Sequence, residues 1–194
     1  MSIRADILTC TKCELQESCT SPVPFSGPYP NPFVVIGEAP GQQEDAQMLP
    51  FIGPAGQLLR QALDIAYGEE GFADCLSYLN AVCCWPKLVH NPRNSHIEAC
   101  YSNLLAQLNI LEPRFALVVG GTALNALHPR RKASLSISQY RGTWIGLRGS
   151  WGRTLALATW HPSAVLRRGG LGTALGKEFM EDLASYVDSV LKFV

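Results

Sequence analysis

The chain has 194 residues, of which 47% are hydrophobic and 16% charged, and its 16 Lys and Arg balance 16 Asp and Glu. This length suits one domain with a core of its own, on a scale of roughly 100–200 residues per domain, and the composition excludes a disordered chain, which needs low hydrophobicity and high net charge. No apolar run approaches the roughly 18 residues of a membrane span, and the start MSIRADILTC lacks the charged-then-apolar pattern of a signal peptide. The expectation is a soluble, cytoplasmic, monomeric single domain over residues 1–194, with residues 1–20 as an N-terminal cysteine strap.

In chain order, residues 20–32 are Pro-rich and predict a loop. Phe33 to Ile36 is a continuous apolar run bounded by turn signals, hence a buried strand. It runs into Glu38-Ala39-Pro40-Gly41, a tight turn. Gly53-Pro54 opens a helix with Pro at the first helical position, and Leu58, Leu59, Ala62, Leu63, Ile65 and Ala66 form its apolar face. Leu76 to Cys83 reads as a second strand, and Cys84 to Asn94 as an irregular loop. Ser95 and Glu98 have capping-box spacing, so a helix should run from there to about Asn109. Phe115 to Val119 is a third strand, followed by Gly120, Gly121 and Thr122 as a helix cap. Thr154 to Ala158 is a fourth strand that ends at Trp160-His161-Pro162. Lys177 to Leu191 is a closing helix. This alternation predicts a three-layer α/β/α fold around a central, mostly parallel, four-stranded sheet.

Ligands of such folds sit beyond the carboxyl ends of the strands, so the residues there carry the functional reading. Glu38 brings a carboxylate. Phe51, in a short loop held by Pro50 and Gly53, is either a stacking ring or a core side chain. Asn80 offers one acceptor and two donors, or is an ordinary satisfied strand-end amide. His161 follows a strand and precedes Pro, so a rigid turn aims its ring. A ring, an amide, a carboxylate and an imidazole together suit a flat, polar heterocycle such as a nucleobase.

Charge adds to this. Residues 113–177 contain no acid but ten basic residues: Arg114, Arg130, Arg131, Lys132, Arg141, Arg148, Arg153, Arg167, Arg168 and Lys177. Such a stripe is an electrostatic footprint for nucleic acid, unless folding scatters it over several faces. The seven cysteines are odd in number and suit a reducing compartment better than a disulfide framework. Cys10 and Cys13 form a CxxC whose metal partners would come from Cys83, Cys84 and Cys100. Spacing alone leaves zinc, an iron–sulfur cluster and plain buried thiols open.

Four blocks together carry a family resemblance: Cys10-Thr11-Lys12-Cys13; GEAPGQQED followed by LPFIGPAGQLL; Asn80-Ala81-Val82-Cys83-Cys84-Trp85-Pro86 with Cys100 downstream; and His161-Pro162-Ser163-Ala164-Val165-Leu166-Arg167. In order and spacing, over nearly the whole chain, they resemble the family 4, iron–sulfur uracil-DNA glycosylases. The resemblance implies a 4Fe-4S cluster on Cys10, Cys13, Cys84 and Cys100, with Cys19, Cys75 and Cys83 as extra thiols. It implies a base pocket of Glu38, Ala39, Pro40, Phe51, Asn80 and His161, in which His161 donates to the departing base and Glu38 orients water. It implies a DNA wedge from Ala164 to Arg168, with Ser163, Leu166, Arg167 and Arg168 on DNA.

The implied activity is removal of a flipped pyrimidine, uracil by default, from double- or single-stranded DNA in base-excision repair. Two alternatives are a glycosylase for a modified cytosine such as glucosylated hydroxymethylcytosine, as antiviral defence, and a non-catalytic iron–sulfur DNA-binding protein. Gln42 and Gln43 replace acids common in the family, Trp85-Pro86-Lys87 and Val89-His90 replace its usual Arg-Pro-Pro and Asn-Arg, and Asp45 to Leu49 differs from its small turn. All of these border the expected pocket.

Overall fold

The computed structural model describes residues 3–128 and 135–193. Its strands are β1 (Phe33–Gly37), β2 (Ser77–Asn80), β3 (Phe115–Val119), β4 (Trp144–Gly149) and β5 (Gly152–Thr159). The helices in chain order are α1 (Ile3–Leu8), α2 (Leu15–Ser18), α3 (Gln42–Gln47), α4 (Pro54–Tyr67), α5 (Asn94–Leu111), α6 (Gly121–Leu127), α7 (Ile137–Tyr140), α8 (Pro162–Arg167) and α9 (Ala174–Leu191). The sheet order is β2-β1-β3-β5-β4. The first four strands in that order run parallel, and β4 is antiparallel to β5.

The apolar runs explain the layers. Successive side chains of a strand point to opposite faces, and a parallel sheet is covered on both. Val35, Leu117 and Leu157 therefore face α4 and α9, packing with Leu59, Leu63, Phe179, Leu183 and Tyr186. Val34, Ile36, Ala116, Val118 and Ala156 face the other way, onto Leu104 and Leu108 of α5 and Leu124 of α6. A third cluster, built from Ile7, Leu15, Val82, Cys83, Cys84 and Cys100, fastens the N-terminal segment to the chain beyond β2.

The three-layer, mostly parallel fold is as expected, but the sheet has five strands rather than four. The added strand, β4, is interrupted by Gly146, and its burial does not alternate cleanly, so its period-2 signal is weak. It pairs with β5 through the short turn before Gly152, and this pairing extends β5 two residues upstream of Thr154. β2 is shorter than expected. Beyond Asn80 the Ala81 and Val82 amides still reach the carbonyls of Gly37 and Glu38, but the Cys83 carbonyl is taken by the Val23 amide (2.6 Å).

Three helix starts also differ. α5 begins at Asn94, because the Arg93 amide donates to His96 Nδ1 (3.0 Å) in the place of the expected Ser95–Glu98 box. α9 begins at Ala174, where the Thr173 hydroxyl accepts the Gly176 amide (3.1 Å). Gly120, not Thr122, caps α6, which frees the Thr122 hydroxyl for another partner. Among the described residues, no helix is long and apolar enough to cross a membrane.

Candidate active site and cysteine centre

β1, β2, β3 and β5 end on the same side of the sheet, and a cleft of about 430 Å³ opens there. This volume lies in the range of roughly 300–1,000 Å³ found for small-molecule sites. Glu38, Ala39, Pro40, Phe51, Asn80 and His161 all line it, and so does Ser163. Leu166, Arg167 and Arg168 do not line it. They follow on α8, whose first turn begins at His161, and Leu166 is 38% exposed there.

Two glycines set the cleft's floor. A Cβ on Gly37 would stand 2.5 Å from both Phe51 Cζ and Asn80 Oδ1, so the ring and the amide meet only because this residue has no side chain. A Cβ on Gly56 would fall 2.2 Å from the Phe51 carbonyl, so α4 can press against that loop. Phe51 itself has a left-handed backbone (φ 58°). A bulky residue rarely adopts that conformation unless its surroundings impose it. Here the Phe51 carbonyl accepts from Arg60 Nε (3.2 Å), and the ring lies 5.5 Å from that of Tyr78. The Asn80 side chain is buried in the cleft wall, yet its amide has no hydrogen-bond partner among the described residues, and none of its polar atoms is sealed from the cleft.

His161 is held in one tautomer. Its Nδ1 accepts the Ser163 amide (3.2 Å) and lies 2.7 Å from the Ser163 hydroxyl. A ring nitrogen that accepts carries no hydrogen, so the ring proton sits on Nε2. Removal from water, with a smaller push from the Arg167 charge, depresses the pKa of His161 to about 4. The imidazole is therefore neutral and donates through Nε2. Gly120 (φ 92°) backs the ring, because a Cβ there would come within 3.1 Å of His161 Cδ2. Thr122 donates its freed hydroxyl to the Glu38 carboxylate.

Sequence reasoning passed over Thr122 in this role, and it missed Glu44 altogether. Glu44 Oε1 accepts the Gly53 amide (2.8 Å) and Oε2 the Gly41 amide (3.2 Å), clamping the two cleft loops together. The available signal was a carboxylate three residues after a helix-capping glycine. The departing residues Gln42, Gln43, Trp85, Pro86 and His90 do border the cleft.

The basic stripe divides. Arg141 is locked to Asp182, and Arg114, Arg148 and Arg153 lie at the opposite end of the sheet. Arg130, Arg131 and Lys132 lie outside the described residues. The stripe is thus not one continuous face.

Cys10, Cys13, Cys83, Cys84 and Cys100 surround one small apolar void. Around a single zinc, with Zn–S near 2.3 Å, tetrahedral thiolates lie about 3.8 Å apart. Among the described residues, no three His, Cys, Asp or Glu gather tightly enough for one ion. A donor set made only of thiols suits a soft, thiolate-ligated metal centre, as zinc and iron–sulfur clusters both are. The strap that brings Cys10 and Cys13 is fastened to α5. Lys12 donates to Ser102 (2.7 Å) and Asn103 (2.9 Å), Asn103 donates to Cys10 Sγ (3.3 Å), and buried His96 meets Glu14 (2.7 Å). The Cys83 amide donates to Cys100 Sγ (3.3 Å), and hydrogen bonding from Cys83 draws the Cys100 thiol below its ordinary range, whereas burial pushes Cys84 up.

Residues 24–184 match the Uracil DNA glycosylase superfamily. The chain belongs to that family. It is 34% identical over 186 residues to a Type-4 uracil-DNA glycosylase of Pyrobaculum aerophilum, covering 93% of this chain and 89% of that protein. It is 35% identical over 162 residues to the Type-4 uracil-DNA glycosylase of Thermotoga maritima (81% and 78% covered). It is 30% identical over 179 residues to that of Sulfurisphaera tokodaii (91% and 80% covered).

Proposed function

We propose that this protein is a DNA glycosylase that everts uracil from DNA and hydrolyses its N-glycosidic bond, leaving an abasic site for base-excision repair. The observation that carries this reading is the meeting of three groups in one cleft: the Phe51 ring, the Asn80 amide, which has no hydrogen-bond partner among the described residues, and the Nε2–H of a neutral His161. Phe51 stacks on the everted base, an interaction worth about 1–3 kcal/mol per base in aromatic stacking platforms. Asn80 reads the pyrimidine edge, donating to a carbonyl and accepting from the ring N–H.

As the bond from the sugar C1′ to N1 breaks, its electron pair moves onto the base and the O2 oxygen becomes anionic. His161 Nε2–H donates to that oxygen and keeps its proton. Glu38, held by Thr122, orients water toward C1′ and takes up the proton that the water loses on forming the new C–O bond. Leu166 fills the space left in the duplex, and Arg167 and Arg168 take phosphates. Eversion costs a few kcal/mol, which such a filler offsets. The test is an alkaline cleavage assay on oligonucleotides carrying a single uracil, hypoxanthine or 5-modified cytosine. The strand should be cut at uracil, and a cut confined to modified cytosine would refute uracil as the substrate.

On the same reading, residues 1–194 are one domain, and Cys10, Cys13, Cys84 and Cys100 hold a 4Fe-4S cluster. When bound, the cluster supplies iron–thiolate bonds that tie the strap to the loop after β2. Purified protein should be brown and contain iron and sulfide, and Cys100→Ala should lose both colour and iron. A colourless, zinc-containing, active protein would contradict the assignment.

The pH dependence follows from His161. A folded pKa of about 4 lies below the ordinary His value near 6.5. The unfolded chain therefore binds the extra proton first as pH falls. The stability this group contributes is complete above pH 6.5 and is lost as pH falls toward about 4. The neutral donor, and with it the single-turnover rate, should persist through that window. NMR titration of the imidazole should give a midpoint well below 6; one near 6.5 would rule out the neutral donor.

A further inference from the structure

We infer that the end of the sheet opposite the cleft is a docking surface for an acidic peptide segment of a partner protein that carries apolar anchors. A groove of about 600 Å³ lies there, edged by Arg114, Arg148 and Arg153 over a floor of Phe115, Leu155 and Phe193. Leu155 is 50% exposed and Phe193 49%. The groove starts at Phe115, the first residue of β3, whereas the cleft lies beyond the last, so the whole strand separates them.

The charges are the first argument. Arg148 and Arg153 sit directly opposite each other on β4 and β5. Like charges in that position are destabilising. Arg114 is next to them, its carbonyl accepting the Leu155 amide (2.9 Å). All three side chains are exposed, no Asp or Glu lines the groove, and none of the three guanidiniums has an ion-pair partner among the described residues. Three unneutralised guanidiniums held by strand register, against their mutual repulsion, complement an anion.

The floor decides which anion. Phe115 and Phe193 meet at 69° with centroids 5.4 Å apart, Phe193 meets Phe33 at 90°, and Phe115 meets Trp144 at 82°. Rings packed edge to face with one another do not present the free parallel faces that stack nucleobases. They leave an irregular apolar hollow beside Leu155, which suits Leu or Phe side chains between carboxylates. Guanidiniums pair well with those carboxylates, two hydrogen bonds at a time.

Fluorescence anisotropy with a labelled peptide, Asp-Asp-Leu-Asp-Asp-Phe-Leu, tests this on the full chain. Binding should be micromolar and at least tenfold weaker when the four Asp are Asn. Arg148→Glu should weaken it at least tenfold while leaving uracil excision unchanged. That variant faces Arg153 with an opposite charge, so its melting temperature should not fall, which separates lost binding from lost folding. The proposal is overturned if the peptide does not bind, or if Arg148→Glu binds it as tightly as the parent. It is equally overturned if a uracil-free single-stranded decanucleotide binds this groove more tightly, or if light scattering shows a dimer that Arg148→Glu dissolves.

Discussion

His161→Ala is expected to lower single-turnover uracil excision by roughly 100- to 1,000-fold, because one well-aimed donor to a developing oxyanion is worth about 3–4 kcal/mol. The loss should fall on the rate of the chemical step and leave affinity for uracil-containing DNA within a few fold. The side chain is half-buried at the mouth of α8, and its Nδ1 contacts are local, to Ser163, so truncation removes the Nε2 donor without opening the core. His161→Gln retains an N–H donor and should recover part of the rate. An alanine variant as fast as the parent would show that leaving-group stabilisation lies elsewhere, whereas no base released by parent or variant would favour the reading of a DNA-binding protein without catalysis.

Asp182→Ala should produce the largest loss of stability. Asp182 is 2% exposed on α9 and accepts from Arg141 Nη2 (2.6 Å), Arg141 Nε (3.1 Å) and the Thr159 hydroxyl (2.7 Å). Arg141 is partly exposed and keeps Glu181 (3.7 Å) and the Glu178 carbonyl (3.0 Å), so the substitution removes charge-assisted hydrogen bonds rather than stranding a buried charge, at a cost of about 2–3 kcal/mol. At roughly 2–4 °C per kcal/mol for a chain of this size, the midpoint should fall by about 4–12 °C. The double variant Arg141→Met, Asp182→Leu should be less damaging than Asp182→Ala, since it fills the space with apolar side chains and leaves no guanidinium without its bidentate partner. A midpoint for Asp182→Ala indistinguishable from that of the parent would show that this pair does not bind α9 to the end of β5. Thr159 lies two residues before His161, so the same contact steadies the strand from which the imidazole projects.

The core strands were legible because apolar runs such as Phe33–Ile36 and Phe115–Val119 are buried on both faces and need no periodicity to stand out. β4 was not, because Gly146 and edge exposure blur its pattern. The cleft residues could be picked out because a parallel sheet gathers its strand ends, and Glu38, Asn80 and His161 each stand at one. What holds them was hidden. Glu44 and Thr122 look like ordinary helix-start residues, and their partners lie nine and 84 positions away in the chain, brought near only by folding. The charge stripe misled for a related reason. Contiguity in sequence placed Arg141 and Arg148 with Arg167, whereas strand direction sends them to an internal ion pair and to the far end of the sheet.

The most direct measurement is a crystal structure of the protein soaked with free uracil. The base should lie flat on the Phe51 ring, with the Asn80 amide on its edge and its O2 within hydrogen-bond distance of His161 Nε2. Uracil found outside this cleft, or bound with those three side chains turned to separate partners, would contradict the account.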